Sequence, residues 1–173
     1  MGLSRRYIGI DESGSNPMYF VAAFSFDSRD VLFSSERMAK RRGNNPDRKP
    51  SHDFIYTTLN QDNTSINSRI RAIYSLLVHC GLQYSDRVII DAFGEENQVK
   101  EKLMKGLSAY GISANGNILI EHDADRRYAI VNEADSIANL LHRRNGSSGF
   151  GSKEMPILPD AQHYIDQVYK TAR

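Results

Sequence analysis

Residues 87–92, Arg-Val-Ile-Ile-Asp-Ala, constrain the fold of this chain more strongly than any other segment, because their apolar run is continuous. Half-exposed strands alternate apolar and polar residues, whereas strands of a parallel sheet with both faces covered are apolar almost throughout. The segment therefore predicts a buried strand of a parallel or mixed sheet. It ends at a carboxylate, Asp91.

The other segments predict an α/β fold that begins with a hairpin. Residues 7–10 are apolar and lead into turn-forming residues, and a second apolar run covers 18–26. Further strands are predicted near 52–59 and at 118–120, and helices at 66–77, 99–107, 130–144 and 160–172. We expect a mixed sheet, formed by an N-terminal antiparallel hairpin and then parallel strands, with helices on its flanks.

Length and charge predict one globular domain over residues 1–173, since 40% of the residues are apolar and 25% are charged. Basic residues cluster near 36–50 beside glycine, asparagine and proline, which predicts a basic, flexible insertion that includes Arg41 and Arg42. The net charge of +1 excludes a chain-wide polycationic binder. It leaves room for a local basic surface opposite an acidic site.

Cysteine use and hydropathy predict a cytoplasmic protein with no membrane partner. Cys80 is the only cysteine, so an internal disulfide cannot form and a reducing compartment is expected. The first residues lack the apolar stretch of a signal peptide. No segment approaches the roughly 20 apolar residues of a membrane-spanning helix.

Carboxylates occur where the predicted strands end. Asp11 and Glu12 close the first strand, and Asp91 closes the central one. Asp125 follows the last strand, and Asp135 lies near the start of the next helix. Two carboxylates about 4 Å apart repel by roughly 4 kcal/mol at an effective dielectric constant of about 20, so a fold that gathers several of them normally needs cations.

Oxygen ligands of this kind select Mg²⁺ or Mn²⁺, and two such ions suit phosphodiester hydrolysis. Each acid also has a structural explanation, such as a turn for Asp11 or the helix dipole for Asp135. Spacing alone therefore predicts a metal site without excluding ordinary structural roles.

Several motifs resemble those of ribonuclease HII. Residues 8–14, Ile-Gly-Ile-Asp-Glu-Ser-Gly, are similar to that family's opening Gly-Ile-Asp-Glu-Ala-Gly strand, and Val-Ala-Ala at 21–23 is similar to its second strand. Residues 124–128 resemble its Ala-Asp-x-x-Tyr segment, and 134–138 its Ala-Ala-Ser-Ile helix. The loop at 146–151 resembles its Gly-Ser-Gly-Tyr loop.

The resemblance implies a ribonuclease H-like fold and a two-metal endonuclease that cuts the RNA strand of RNA–DNA hybrids, or DNA at single ribonucleotides. Its metal ligands would be Asp11, Glu12, Asp91 and Asp125. The nucleic-acid-binding candidates lie in the turn after the first strand and among the arginines, namely Ser13, Gly14, Ser15, Asn16, Arg41, Arg42, Arg126 and Arg143.

The chain departs from the ribonuclease HII pattern at three places. Gly14-Ser15-Asn16 replaces the Gly-Arg-Gly that reads the ribose 2′-hydroxyl in that family. Phe150 stands where a tyrosine is expected, and the basic insertion has no counterpart. These departures leave ribonucleotide selectivity open, while the acidic positions are kept.

A second resemblance is to uncharacterised ribonuclease H-like domains that open with Asp-Glu-Ser-Gly and carry an Ala-Asp-x-Ile-Ala helix followed by an arginine. Residues 11–14 and 134–138 match both motifs, with Arg143 after the second. Under this alignment the fourth ligand is Asp135. A strand end aims a side chain more predictably, which favours Asp125.

Two other functions compete with a nuclease. A catalytically inactive nucleic-acid-binding or interaction module would fit the altered turn at 14–16, although clustered acids are costly without a metal. An α/β enzyme that uses Mg²⁺ and a small phosphorylated substrate is disfavoured, because no glycine-rich phosphate loop follows the first strand.

Overall fold

The computed structural model describes residues 5–33, 49–60, 65–114, 117–146 and 149–160. Five strands in these ranges form one sheet. They are β1 (Tyr7–Gly14), β2 (Met18–Ser25), β3 (Asp53–Leu59), β4 (Arg87–Asp91) and β5 (Ile118–Glu121). The strand order is β3-β2-β1-β4-β5; β2 is antiparallel to both β1 and β3, and β4 is parallel to β1 and β5. The expected α/β class, with a hairpin followed by parallel strands, is confirmed.

Three of the four α-helices in the described ranges follow the predicted apolar periodicity, and the exception is a helix of four residues. The four are α1 (Ile66–His79), α2 (Glu96–Ala109), the exception α3 (Ala124–Arg127) and α4 (Ala129–Arg143), with short 3-10 turns at Ser28–Asp30 and Gly151–Lys153. Ser65 accepts a hydrogen bond from the backbone N–H of Ser68, and this cap fixes the start of α1. None of the described helices is long and apolar enough to cross a membrane.

Some expectations fall outside the described residues. These include Arg41, Arg42 and most of the basic insertion, as well as the predicted helix at 160–172 apart from its first residue. The single domain over 1–173 therefore stays a prediction. Helix α3 was not predicted, because four residues are too few to form an apolar stripe.

The sheet is covered on both faces. Ile8, Ile10 and Val88 pack with residues of α1 and α2 in one core cluster, and Ile89 packs with residues of α4 in the other. Neighbouring residues of β4 thus face opposite cores, which explains its continuous apolar run. Fully burying one such side chain contributes roughly 1.5–3 kcal/mol.

Gly9 sets the distance between β1 and α4. A Cβ atom at this position would lie 2.4 Å from the backbone carbonyl of Ile130, so only a glycine lets the helix lie so close to the strand. Further along α4, Asn139 reaches Ser13 and His142 reaches Gly14. The helix therefore runs toward the carboxyl end of β1 and carries its own polar residues to that edge.

Candidate metal centre

The parallel pairing of β1 and β4 brings two carboxylates to one edge of the sheet. Ile10 and Ile90 are register partners, and the next residue of each strand is an aspartate, Asp11 or Asp91. The parallel ladder between β1 and β4 ends at this pair, so the two acids follow it as neighbours. Asp11 does not close its strand as the sequence predicted, because β1 stays paired with β2 as far as Gly14. Asp11 is buried, with 8% of its surface exposed, and Asp91 is half-buried.

Asp91 also organises the turn after β5. Its Oδ1 accepts a hydrogen bond of 2.7 Å from the backbone N–H of Ala124. Asp123 precedes that residue with a φ of +58°, in the left-handed region, and the chain turns there into α3. Asp125, in the first turn of α3, is thereby held beside Asp91.

Helix α4 contributes a further carboxylate through a short hydrogen-bond chain. The Ser13 hydroxyl donates to Asn139 Oδ1 at 2.7 Å, and Asn139 Nδ2 donates to Asp135 Oδ1 at 2.7 Å. Asn139 therefore links the end of β1 to Asp135. Sequence reasoning missed Asn139; its position one helical turn after Asp135 is the signal that could have identified it.

The acids are close enough to alter one another's protonation. Burial, and then the charges of Asp91 and Asp135, raise the pKa of Asp11 well above its ordinary value, against the hydrogen bond from the Glu12 N–H. Burial and Asp125 raise the pKa of Asp135 to about 6. The pKa values of Asp91 and Asp125 are raised as well, chiefly by burial. The repulsion expected from the sequence is present in the fold.

Glu12 faces the opposite side of the sheet from Asp11, because neighbouring strand residues alternate between its two faces, but it is close enough to Asp91 for that charge to raise its pKa. Its Oε1 forms an ion pair with Arg69 of α1, whose Nη1 lies 2.8 Å away. Its Oε2 is buried and has no hydrogen-bond partner among the described residues. Burial raises the pKa of Glu12 to about 7, although Arg69 acts in the opposite direction. Arg69 was not predicted, because nothing in the sequence connects it to β1.

Comparison with solved structures assigns the fold. A point mutant of Bst-RNase HIII superposes with a TM-score of 0.55 at 15% identity, covering 82% of this chain and 53% of that one. Ribonuclease H2 from Pyrococcus horikoshii OT3 gives 0.53 at 16% identity, covering 96% and 88%. Bst-RNase HIII in complex with Mn²⁺ gives 0.50 at 14% identity, covering 82% and 53%. The fold is ribonuclease H-like.

The resemblance to ribonuclease HII is thus confirmed at the level of the fold. The chain spans about half the length of the Bst-RNase HIII structures and 88% of the Pyrococcus structure. No family model and no curated protein sequence matches it.

The donor set of this ribonuclease H-like sheet suits a hard divalent cation. Four half-buried or buried aspartates converge, and Glu12 adds a buried oxygen with no hydrogen-bond partner in the part of the chain that the structure describes. Carboxylate oxygens are the ligands that Mg²⁺ and Mn²⁺ prefer. Within the described ranges no three acidic, histidine or cysteine side chains already stand at the spacing of a metal cage.

The nucleic-acid candidates in the described ranges border this edge. Ser15 and Asn16 are exposed in the β1–β2 turn, and Ser13 is engaged with Asn139. Gly14 adopts a φ of +90°, and a Cβ atom there would lie 2.6 Å from His142 Nδ1. His142, exposed at this point of α4, was not among the predicted candidates.

The two described candidate arginines are exposed. Arg126 of α3 lies 3.7 Å from Asp123. Arg143, at the end of α4, is close enough to act on the Asp135 carboxylate by its charge. Because both guanidinium groups are exposed, they can contact a nucleic acid at this edge without any rearrangement of the core.

Phe150 lies away from this edge. Its ring packs edge-on against Phe54, with ring centroids 5.2 Å apart. In the sheet register Phe54 pairs with Ala23, which pairs with Gly9, two residues before Asp11. The loss of the tyrosine hydroxyl at position 150 is therefore a change in the packing beside β3.

Proposed function

We propose that this chain is a metal-dependent endonuclease that hydrolyses phosphodiester bonds of nucleic acid, with the RNA strand of an RNA–DNA hybrid as its first substrate. The observation that carries the proposal is the convergence of Asp11 and Asp91 with two further aspartates at one edge of a ribonuclease H-like sheet. The Mn²⁺ complex of Bst-RNase HIII, which has the same fold, supports this choice of metal.

Asp11, Glu12 and Asp91 are the proposed core ligands of two divalent ions. When bound, the ions would lower the pKa of the attacking water and neutralise charge on the leaving oxygen. Asp125 is the proposed fourth ligand, because the Asp91–Ala124 hydrogen bond holds its turn beside the strand ends. Asp135 is the alternative, since its charge acts on Asp11 and the Asn139 amide orients it.

The surface around the acids would hold the nucleic-acid backbone. The exposed β1–β2 turn supplies Ser15, Asn16 and backbone groups, and the guanidinium groups of Arg126 and Arg143 supply positive charge. Arginine and backbone N–H groups are common partners of phosphate oxygens. Arg41 and Arg42 are proposed as further phosphate contacts from the basic insertion.

One observation favours a second function, a catalytically inactive nucleic-acid-binding module. In this structure Glu12 is paired with Arg69, which offers part of the neutralisation that a metal ion would otherwise provide. Such a module would bind nucleic acid without cleaving it.

Cleavage of end-labelled substrates distinguishes the two functions. RNA–DNA hybrid, duplex DNA and single strands are incubated with Mg²⁺, Mn²⁺ or EDTA, using the wild-type chain and Asp11→Asn. We expect metal-dependent cleavage that falls by about 100-fold or more in the variant. Asp27→Asn is the matched control, because Asp27 pairs with Arg29 outside the acidic cluster. Metal-dependent cleavage that survives Asp11→Asn would contradict the site, and binding without cleavage would favour the module.

The same assay chooses between the two candidate fourth ligands. Asp125→Asn and Asp135→Asn are compared at saturating metal. We expect the larger loss of cleavage for Asp125→Asn, and a larger loss for Asp135→Asn would assign the ligand to α4.

A further inference from the structure

The Arg69–Glu12 ion pair joins α1 to β1 beside the acidic edge. Arg69 Nη1 lies 2.8 Å from Glu12 Oε1, and only 23% and 19% of the two side chains are exposed. The Arg69 guanidinium also lies over the Phe93 ring, 5.5 Å from its centroid. The pair is therefore held by packing as well as by charge.

The pair leaves two polar atoms unused. Glu12 Oε2 and Arg69 Nε are both buried, and neither has a hydrogen-bond partner among the described residues. Buried polar atoms are normally satisfied by protein, water or an ion, so each unpaired atom needs an explanation. Glu12 also lies within electrostatic range of Asp91, so its unpaired oxygen belongs to the same negative region.

We propose that Arg69 is a positioning residue, which acts as the counter-ion of Glu12 in the metal-free protein and leaves the second carboxylate oxygen available to a divalent cation. This inference rests on the proposed function. One oxygen of Glu12 stays with the guanidinium, and the other is oriented for the ion. The guanidinium competes with the cation for the Glu12 carboxylate, so Arg69 lowers metal affinity while it fixes the direction of the ligand.

A charge-removing substitution separates these two effects. Arg69→Met keeps an apolar stem over Phe93 and removes the guanidinium, and Arg69→Gln removes the charge with a polar side chain. Titration calorimetry with MnCl₂ on the full chain should give roughly five- to tenfold tighter binding for both variants, since a cation no longer competes for Glu12. At saturating Mn²⁺ the cleavage rate should fall, because Glu12 is no longer oriented.

Glu12→Gln and Arg29→Gln are the controls. In a Glu12→Gln background Arg69→Met should leave the Mn²⁺ affinity unchanged within about twofold, because the pair that it breaks is already gone. Arg29 forms an ion pair with Asp27 away from the acids, so Arg29→Gln should bind Mn²⁺ as the wild type does. The two charge-removing variants are chemically different, so a folding defect in one leaves the other as the test.

The outcomes separate this inference from the proposed function. Wild-type protein that binds Mn²⁺ with the same or higher affinity than the Arg69 variants overturns the role of Arg69 alone. Wild-type protein that binds no Mn²⁺ overturns the proposed function and this inference together. Tighter binding in the variants that persists in the Glu12→Gln background also overturns the inference, because the effect would not pass through Glu12.

Discussion

Asp11 of β1 and Asp91 of β4 each stand one residue beyond a register pair, Ile10 and Ile90, on adjacent parallel strands. The parallel register therefore places the two residues side by side where the ladder between β1 and β4 ends. Their proximity is thus a consequence of the topology. A bound cation would relieve the repulsion between the two carboxylates, and this relief would favour its binding. The same relationship governs how the molecule should respond to substitution and to pH.

Neutralising Asp135 should stabilise the metal-free protein. Burial and neighbouring charge raise its pKa from 3.8 to about 6. Ionising this carboxylate therefore lowers the free energy of unfolding; the loss begins as pH rises above 3.8 and is complete above about pH 6. Asp135→Asn keeps the hydrogen bond from Asn139 and removes the charge. In EDTA at pH 7 we expect a gain of about 1–2 kcal/mol, or a Tm higher by roughly 2–8 °C.

The pH dependence provides the control for this variant. Below about pH 4 the wild-type carboxyl is protonated, so the two proteins should have the same thermal stability. Added Mn²⁺ should raise the Tm of the wild type more than that of Asp135→Asn. A variant that is less stable at pH 7 in EDTA would contradict the repulsion at the site.

Asn139→Ala should weaken metal binding without unfolding the chain. The Asn139 amide connects the Ser13 hydroxyl to the Asp135 carboxylate, and groups that orient a ligand typically affect metal affinity by about 10–100-fold. We expect a Mn²⁺ dissociation constant about tenfold higher in calorimetry. Asn97→Ala, an exposed asparagine on α2, is the matched control. Equal affinities for the wild type and Asn139→Ala would show that this hydrogen-bond chain does not orient a metal ligand.

Gly9→Ala should be strongly destabilising. Its Cβ would lie 2.4 Å from the Ile130 backbone, which cannot move without separating α4 from β1. Urea denaturation should give a loss of about 3 kcal/mol. Gly151→Ala is the control, because a Cβ there would have no atom of the described residues within 4 Å. A decrease of less than about 1 kcal/mol in the free energy of unfolding of Gly9→Ala would mean that α4 can move away from β1 at little cost.

His52 should make stability depend on pH at the opposite end of the sheet. The Glu133 carboxylate, buried in α4, and Asp30 raise the pKa of His52 against the effect of burial. The stabilisation is fully present below the unfolded pKa of about 6.5 and is lost as pH rises through the higher folded value.

Urea denaturation of wild type and His52→Gln at several pH values tests this effect. The difference in their free energies of unfolding should be largest near pH 6 and should shrink by about pH 9. A difference that is constant over this range would mean that His52 contributes through packing and not through its charge.

The sequence predicts the strands and the acidic residues better than it predicts their partners. The apolar runs at 7–10 and 87–90 are strong signals, and each leads directly into a carboxylate. Because parallel strands share an edge, the convergence of Asp11 and Asp91 follows from sequence patterns alone. Arg69 and Asn139 could not be found in this way.

Those two residues depend on contacts between distant parts of the chain. Ser13 and Asn139 are 126 positions apart, and only the packing of α4 on Gly9 brings them together. The direction of Glu12 likewise follows from strand alternation and from the approach of α1, which carries Arg69. Periodicity identifies which face of a helix is apolar, but it does not identify the strand residue that the polar rim meets.

Anomalous diffraction from crystals soaked in Mn²⁺ tests the central claim most directly. We expect one or two anomalous peaks beside the carboxylates of Asp11 and Asp91, and no such peaks in Asp11→Asn crystals treated in the same way. Well-ordered wild-type crystals with no Mn²⁺ peak at these two residues, or with peaks only elsewhere, would contradict it.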